Sequence, residues 1–132
     1  MSRVADEFPP DIPDVPDVIS CRRVDGLAWL TIERPEVMNC LSFPTLKRFR
    51  MLLEELRDDE TLRCILITGA GEKAFCAGAD LKERKTYSEE KTRTFVSRIG
   101  KLTAEIGRLP MPTICAVNGH AFGGGCELAL AC

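Results

Sequence analysis

Residues 118–127 read Asn118-Gly-His-Ala-Phe-Gly-Gly-Gly-Cys-Glu127. Ahead of them stands a buried-strand pattern over 113–117, Thr-Ile-Cys-Ala-Val, and behind them a helical pattern, Glu-Leu-Ala-Leu-Ala-Cys, over 127–132. Three consecutive glycines at a strand-to-helix junction carry a large backbone entropy cost. They fit a place where something approaches the main chain closely. A helix starting there directs unpaired N–H groups and its positive dipole end at that object. Glu127 adds an acid/base group within the first turn. Bare N–H donors beside a carboxylate suit a carbonyl that gains negative charge during reaction. The same pattern also has a plain structural reading. Glycine-rich turns serve packing alone, and Glu favours first turns because of the dipole.

Working back from this junction, apolar residues Phe95, Ile99, Leu102, Ile106 and Leu109 recur at helical spacing, and Pro110 and Pro112 end that helix. Its start fits a capping box, Thr86-Tyr-Ser-Glu89. Residues 62–68 read as a largely apolar, buried strand. Residues 69–80 form a loop containing Gly69, Gly71 and Gly78, without the Gly-Lys-Ser/Thr of a phosphate-binding P-loop. Residues 44–57 form a helix capped by Ser42, with Leu46, Phe49, Leu53 and Leu56 on one face. Residues 18–24 and 27–33 form a hairpin about Asp25-Gly26, closed by Arg34-Pro35. Strands alternating with helices predict an α/β domain with parallel pairing.

Residues 1–17 hold four of the eight prolines and five acids (Asp6, Glu7, Asp11, Asp14, Asp17) against one base, Arg3. That composition predicts a disordered acidic arm. It is the reverse of a mitochondrial presequence and lacks a signal-peptide apolar core, so a cytoplasmic location is expected, with a mitochondrial one left open. The 132 residues are 45% hydrophobic and 29% charged, with net charge −2. This is an ordinary globular composition with no basic field for nucleic acid and no apolar run of membrane-spanning length. The cluster Lys47, Arg48, Arg50 is followed at once by Glu54, Glu55, Asp58, Asp59 and Glu60, which favours a mixed-charge solvated face over an RNA site. Seven scattered cysteines without Cys-x-x-Cys read as reduced thiols, and one histidine gives no zinc spacing.

In an α/β sheet, ligands gather beyond the carboxyl ends of strands, so loops 69–80 and 118–126 open toward one place. One N–H near Gly78-Ala79 and another near Gly124 would form an oxyanion hole. Lys82 could meet a phosphate as a point charge, or be an ordinary surface lysine. Cys126 near a helix N-terminus, with His120 as base, is an alternative nucleophile. No third residue orients that pair.

The segments Ala74-Phe-Cys-Ala-Gly-Ala-Asp-Leu-Lys-Glu83 and Ala116-Val-Asn-Gly-His-Ala-Phe-Gly-Gly-Gly-Cys-Glu-Leu-Ala-Leu-Ala-Cys132 resemble the two signatures of the enoyl-CoA hydratase/isomerase (crotonase) superfamily. Arg34-Pro35 with Asn39-Cys-Leu-Ser42 resembles its early Arg-Pro…Asn-Ala-Leu segment, with Cys40 replacing Ala. The resemblance covers 18–132 and implies an α/β fold, the crotonase-like superhelix of repeated β-β-α units, stopping before the C-terminal helices. Ala79 and Gly124 would donate to the thioester carbonyl. Ala77, Gly78, Asp80, Leu81 and Lys82 would line the coenzyme A site, Lys82 near the 3′-phosphate. Glu127 would be the first of two catalytic glutamates, the second lying past Cys132. Coenzyme A is then part of the substrate, with no separate cofactor and no metal. The full-length form would be a homotrimer or hexamer.

The leading expectation is an enoyl-CoA hydratase-type lyase, inactive as this N-terminal part. The alternatives are an enoyl-CoA isomerase of the same fold and a non-catalytic truncated product acting through protein interaction. The uncapped apolar helix at 127–132 motivates the reading as a truncated chain.

Overall fold

The computed structural model describes residues 3–132. Three β-β-α units follow one another. The first is β1 (Ile19–Val24), β2 (Leu27–Ile32) and α1 (Phe43–Arg57). The second is β3 (Cys64–Gly69), β4 (Ala74–Cys76), a short α2 (Leu81–Arg84) and the long α3 (Glu89–Gly107). The third is β5 (Thr113–Cys115), β6 (His120–Ala121) and α4 (Gly124–Ala131). One sheet runs β1-β2-β3-β5, antiparallel at the hairpin and parallel thereafter. The second strands of the later units form their own two-stranded parallel sheet, β4-β6. Those two strands are too short to show a period and lie inside stretches that read as loops.

The hairpin turns at Asp25 and Gly26, both at positive φ, 51° and 79°. This suits a tight two-residue turn. Ser42 caps α1 as expected, its Oγ accepting from Thr45 N at 3.3 Å. The α3 cap differs from the expected capping box. Ser88 Oγ accepts from Lys91 N at 3.1 Å, while Thr86 Oγ1 donates to Glu83 O at the end of α2. An unforeseen short helix ends at Arg84, so Thr86 serves its end rather than the start of α3.

Leu46, Phe49, Leu53 and Leu56 of α1 are buried, as are Phe95, Ile99, Leu102 and Ile106 of α3. They cover one face of the larger sheet, against Ala28, Leu30, Ile32, Ile65 and Ile67. Strand β3 reads in sequence as largely apolar and buried, and in the structure its burial alternates, with Leu66 half-buried. Leu66 shares a cross-strand row with Trp29 and Ile114 on the uncovered face.

The expectation of a disordered arm needs correction for the described residues 3–17; Met1 and Ser2 lie outside them. Val4, Phe8 and Ile12, four residues apart, are all buried in the core cluster. The Phe8 ring meets Phe43 edge-on at 6.3 Å, and Phe43 meets Phe95 at 5.1 Å. The arm's acids find the bases of α1 and α3. Glu7 pairs with Arg50 at 2.8 Å, Asp14 with Lys47 at 2.8 Å, and Asp11 with Lys91 at 3.0 Å. Two of the three bases of the α1 cluster are thus partnered within the chain. Composition missed this because the apolar residues are few and their partners are distant in sequence. Burial alone would raise the Glu7 carboxyl, but Arg50 holds it below the usual value. A lowered folded pKa stabilises above the unfolded value, and that contribution is lost as pH falls through the folded one.

Asn39 fixes the turn before α1. It is fully buried at φ 55°, beside Met38 at φ 57°. Its Oδ1 accepts from Arg34 N at 3.0 Å, and its Nδ2 donates to Ala70 O and Ala74 O, each at 2.9 Å. Asn39→Ala removes three bonds and places a Cβ-bearing residue without local support in the left-handed region. Urea unfolding should show a loss of about 3–5 kcal/mol. Asn39→Gly should recover only the backbone part, about 1 kcal/mol of that loss. Phe8→Ala should cost about 3 kcal/mol in the same measurement, because it empties a filled site. A wild-type midpoint for Phe8→Ala would show that the arm contributes nothing to the core.

Candidate functional site

Strand β4 carries the chain out of the core into residues 77–80. Ala77 N donates to Met38 O at 3.0 Å. Leu41 then forms a parallel bridge with Ala79: Leu41 N donates to Gly78 O at 2.7 Å, and Asp80 N donates to Leu41 O at 2.8 Å. In a parallel bridge the central residue's own N–H faces away from its partner. Ala79 N accordingly donates to no group among the described residues.

Strand β6 leads into the second loop. Phe122 N donates to Cys76 O at 3.1 Å, Gly125 N to Phe122 O at 2.8 Å, and Glu127 N to Gly123 O at 3.0 Å. Gly124, the first residue of α4, has an N–H with no partner among the described residues, as the geometry of a helix start requires. The two loops touch through their glycines. A Cβ on Gly78 would lie 2.9 Å from Phe122 O and 3.5 Å from Gly124 N. Gly78 also sits at φ +98°, which side-chain-bearing residues rarely adopt.

The glycine run has a reason that sequence alone did not separate from ligand access. A Cβ on Gly125 would fall 1.9 Å from Cys76 O, so α4 packs directly on the end of β4. Close approach here is partly protein against protein.

Ala77 and Ala79 are half-buried and Gly78 is buried, while Leu81 and Lys82 are exposed. Asp80 faces the protein. Its Oδ2 meets Arg34 Nη2 at 2.9 Å, and its Oδ1 accepts from Glu83 N at 3.2 Å. Burial would raise its carboxyl, but Arg34 and the α2 N–H groups hold it below the usual value. Glu127 is exposed on the first turn of α4, and its carboxylate takes part in no hydrogen bond among the described residues. His120 stacks on Phe122 at 5.3 Å, Cys126 is exposed, and no hydrogen bond among the described residues joins the histidine to the thiol. The perturbed thiols lie elsewhere: burial pushes Cys76 up to about 11, and contact with Cys115 holds Cys132 below the usual thiol value.

Arg34, Asn39 and Leu41 shape the first loop, although residue chemistry alone gave them no role there. The only signal was the Arg-Pro…Asn spacing. A cleft of about 340 Å³ between Pro35, Met38, Asn39 and residues 70–74 contains none of Ala79, Gly124 or Glu127 in its lining. Among the described residues there is no cluster of three or more metal-ligating side chains, and no helix is long and apolar enough to cross a membrane.

The model of the enoyl-CoA hydratase/isomerase family matches residues 22–132. A Bacillus subtilis protein, YngF, whose name places it among enoyl-CoA hydratase/isomerases, is 47% identical over 108 residues, covering 82% of this chain and 42% of its own. The human mitochondrial methylglutaconyl-CoA hydratase is 43% identical over 107 residues, covering 81% and 32%. The crystal structure of an enoyl-CoA hydratase from Bacillus anthracis superposes with TM-score 0.85 at 41% identity, covering 87% of this chain and 45% of that one. The chain thus spans less than half the length of these relatives, and over that span it has their fold of repeated β-β-α units. The chain belongs to the enoyl-CoA hydratase/isomerase family.

Proposed function

We propose that this chain supplies the acyl-CoA-binding half of an enoyl-CoA hydratase-type site. The observation that carries the reading is the pair of unpartnered N–H groups, Ala79 and Gly124, on two loops in contact through Gly78. Two such donors aimed at one oxygen stabilise a thioester carbonyl as it becomes enolate-like. Ala77, Gly78 and Leu81 line the coenzyme A side, while the Asp80 carboxylate is turned into the protein toward Arg34, and exposed Lys82 meets the 3′-phosphate.

Glu127, on the first turn of the helix that begins with Gly124, acts as acid/base. In hydration, a water oxygen bonds to C3, its proton passes to a carboxylate, and C2 receives a proton. Glu127 supplies one carboxylate, and the family resemblance assigns the other to a segment beyond Cys132. An isomerase would use the same two donors and move a proton between C2 and C4. Product analysis distinguishes the two: a 3-hydroxyacyl thioester supports hydration, and a shifted double bond supports isomerisation.

Calorimetric titration tests the binding site directly. A short 2-enoyl-CoA should bind about tenfold tighter than the matching thioether, which lacks the carbonyl oxygen, a difference of about 1.4 kcal/mol. Equal affinities would remove the oxyanion-hole reading. Glu127→Gln should leave thioester affinity within about twofold, because the carboxylate acts on protons rather than on the carbonyl. Where turnover of a protein containing this segment is assayed, it should lower kcat by about 10²–10⁴ with little change in KM. An unchanged kcat would take Glu127 out of the chemistry.

A further inference from the structure

We propose that Arg34 and Asp80 are positioning residues, an ion pair that fixes the Ala79 peptide so that its N–H faces the substrate carbonyl. The inference rests on the oxyanion-hole reading above. Arg34 lies directly after the hairpin, and its guanidinium spans two segments. Nη1 donates to Cys40 O, next to Leu41, and Nη2 donates to Asp80 Oδ2 at 2.9 Å. Both side chains are largely buried, at 16% and 14% exposure. The pair therefore sits beside the Leu41–Ala79 bridge and ties its two strands together through side chains.

The bonds at Asp80 leave its carboxylate little freedom to serve a ligand. Oδ2 is engaged by Arg34, and Oδ1 caps α2 through Glu83 N. The main chain on either side of Ala79 is held as well, since Gly78 O and Asp80 N both bond Leu41. If the Asp80 side chain lets go, the peptide of Ala79 can rotate against only the backbone bridge. A planar guanidinium with two engaged nitrogens resists that rotation better than an ammonium, which has no fixed fork.

A pair that merely stabilised the fold would weaken every ligand alike. A pair that aims the Ala79 N–H would weaken only ligands with a carbonyl oxygen. The test uses the 132-residue chain, its Arg34→Met, Asp80→Asn and Arg34→Lys variants, and two probes. One is an aryl 2-enoyl-CoA thioester, whose absorption moves to longer wavelength when its carbonyl is polarised. The other is the matching thioether. Arg34→Met and Asp80→Asn should bind the thioester about tenfold more weakly and lose most of the spectral shift, with thioether affinity unchanged. Arg34→Lys should fall between them and the parent.

Asp80→Asn keeps an oxygen for the α2 cap, so it carries the test if Arg34→Met does not fold. In parallel, the ¹⁵N–¹H resonance of Ala79 should move in both variants while that of Gly124 stays in place. If the parent chain shows no preference for thioester over thioether, the oxyanion-hole reading fails, and the Ala79 resonance alone still judges the ion pair. Parent-like thioester preference and an unmoved Ala79 resonance in both variants would overturn the positioning role.

Discussion

The two hydrogen bonds by which Leu41 grips Gly78 O and Asp80 N are the constraint on which the candidate site depends. They consume the polar groups on either side of Ala79 and leave its own N–H facing outward. A free donor at that point is thus a product of strand geometry. Leu41 is placed in turn by its neighbours. Asn39 locks the preceding turn with three side-chain bonds, and Ser42 opens α1 one residue later. Helix α1 is anchored by six buried apolar side chains, Phe43, Leu46, Phe49, Leu52, Leu53 and Leu56. Core packing is transmitted to one backbone amide through four consecutive residues.

The second donor reaches the same place by another route. Strand β6 pairs with β4, so the end of the third β-β-α unit is registered on the second. Cys76 O accepts from Phe122 N and is approached by Gly125 so closely that a methyl group there would collide. Helix α4 therefore starts at a fixed point beside Gly78. Its first N–H, that of Gly124, has no partner among the described residues, as the geometry of a helix start allows. Neither donor comes from a special residue; both come from where elements begin or are bridged.

The hairpin, α1, α3 and the alternation that defines the fold class were legible because each has either a strong period or a turn with one reading. Asp25-Gly26 and the spacing of Phe95, Ile99, Leu102 and Ile106 are examples. Strands β4 and β6, with three and two residues, were invisible to periodicity, although the β-β-α order followed from the family resemblance. The arm misled because its prolines and acids dominate composition, while its stability comes from Val4, Phe8 and Ile12 meeting a distant aromatic cluster. At the site, glycines and a glutamate announced the second loop. The reason for the first loop lay in Arg34 and Asn39, whose partners are up to 46 residues away. Long-range polar contacts of that kind leave no local period.

Two N–H donors in open water add little, because water competes for them and screens the charge they would stabilise. Their strength depends on what else settles around them. Two residues beyond Ala79 stands Leu81, 62% exposed, and two residues before Gly124 stands Phe122, 57% exposed. Each donor is thus flanked by an uncovered apolar side chain. A small anion would gain the N–H groups but leave those surfaces wet. On the proposed thioester reading, the carbonyl would meet the donors while apolar parts of the ligand displace water from Leu81 and Phe122. The electrostatic term then grows because the ligand itself dries the site. Under that proposal, the coupling of donor and apolar contact is what would distinguish an acyl thioester from a phosphate or a free carboxylate as a ligand.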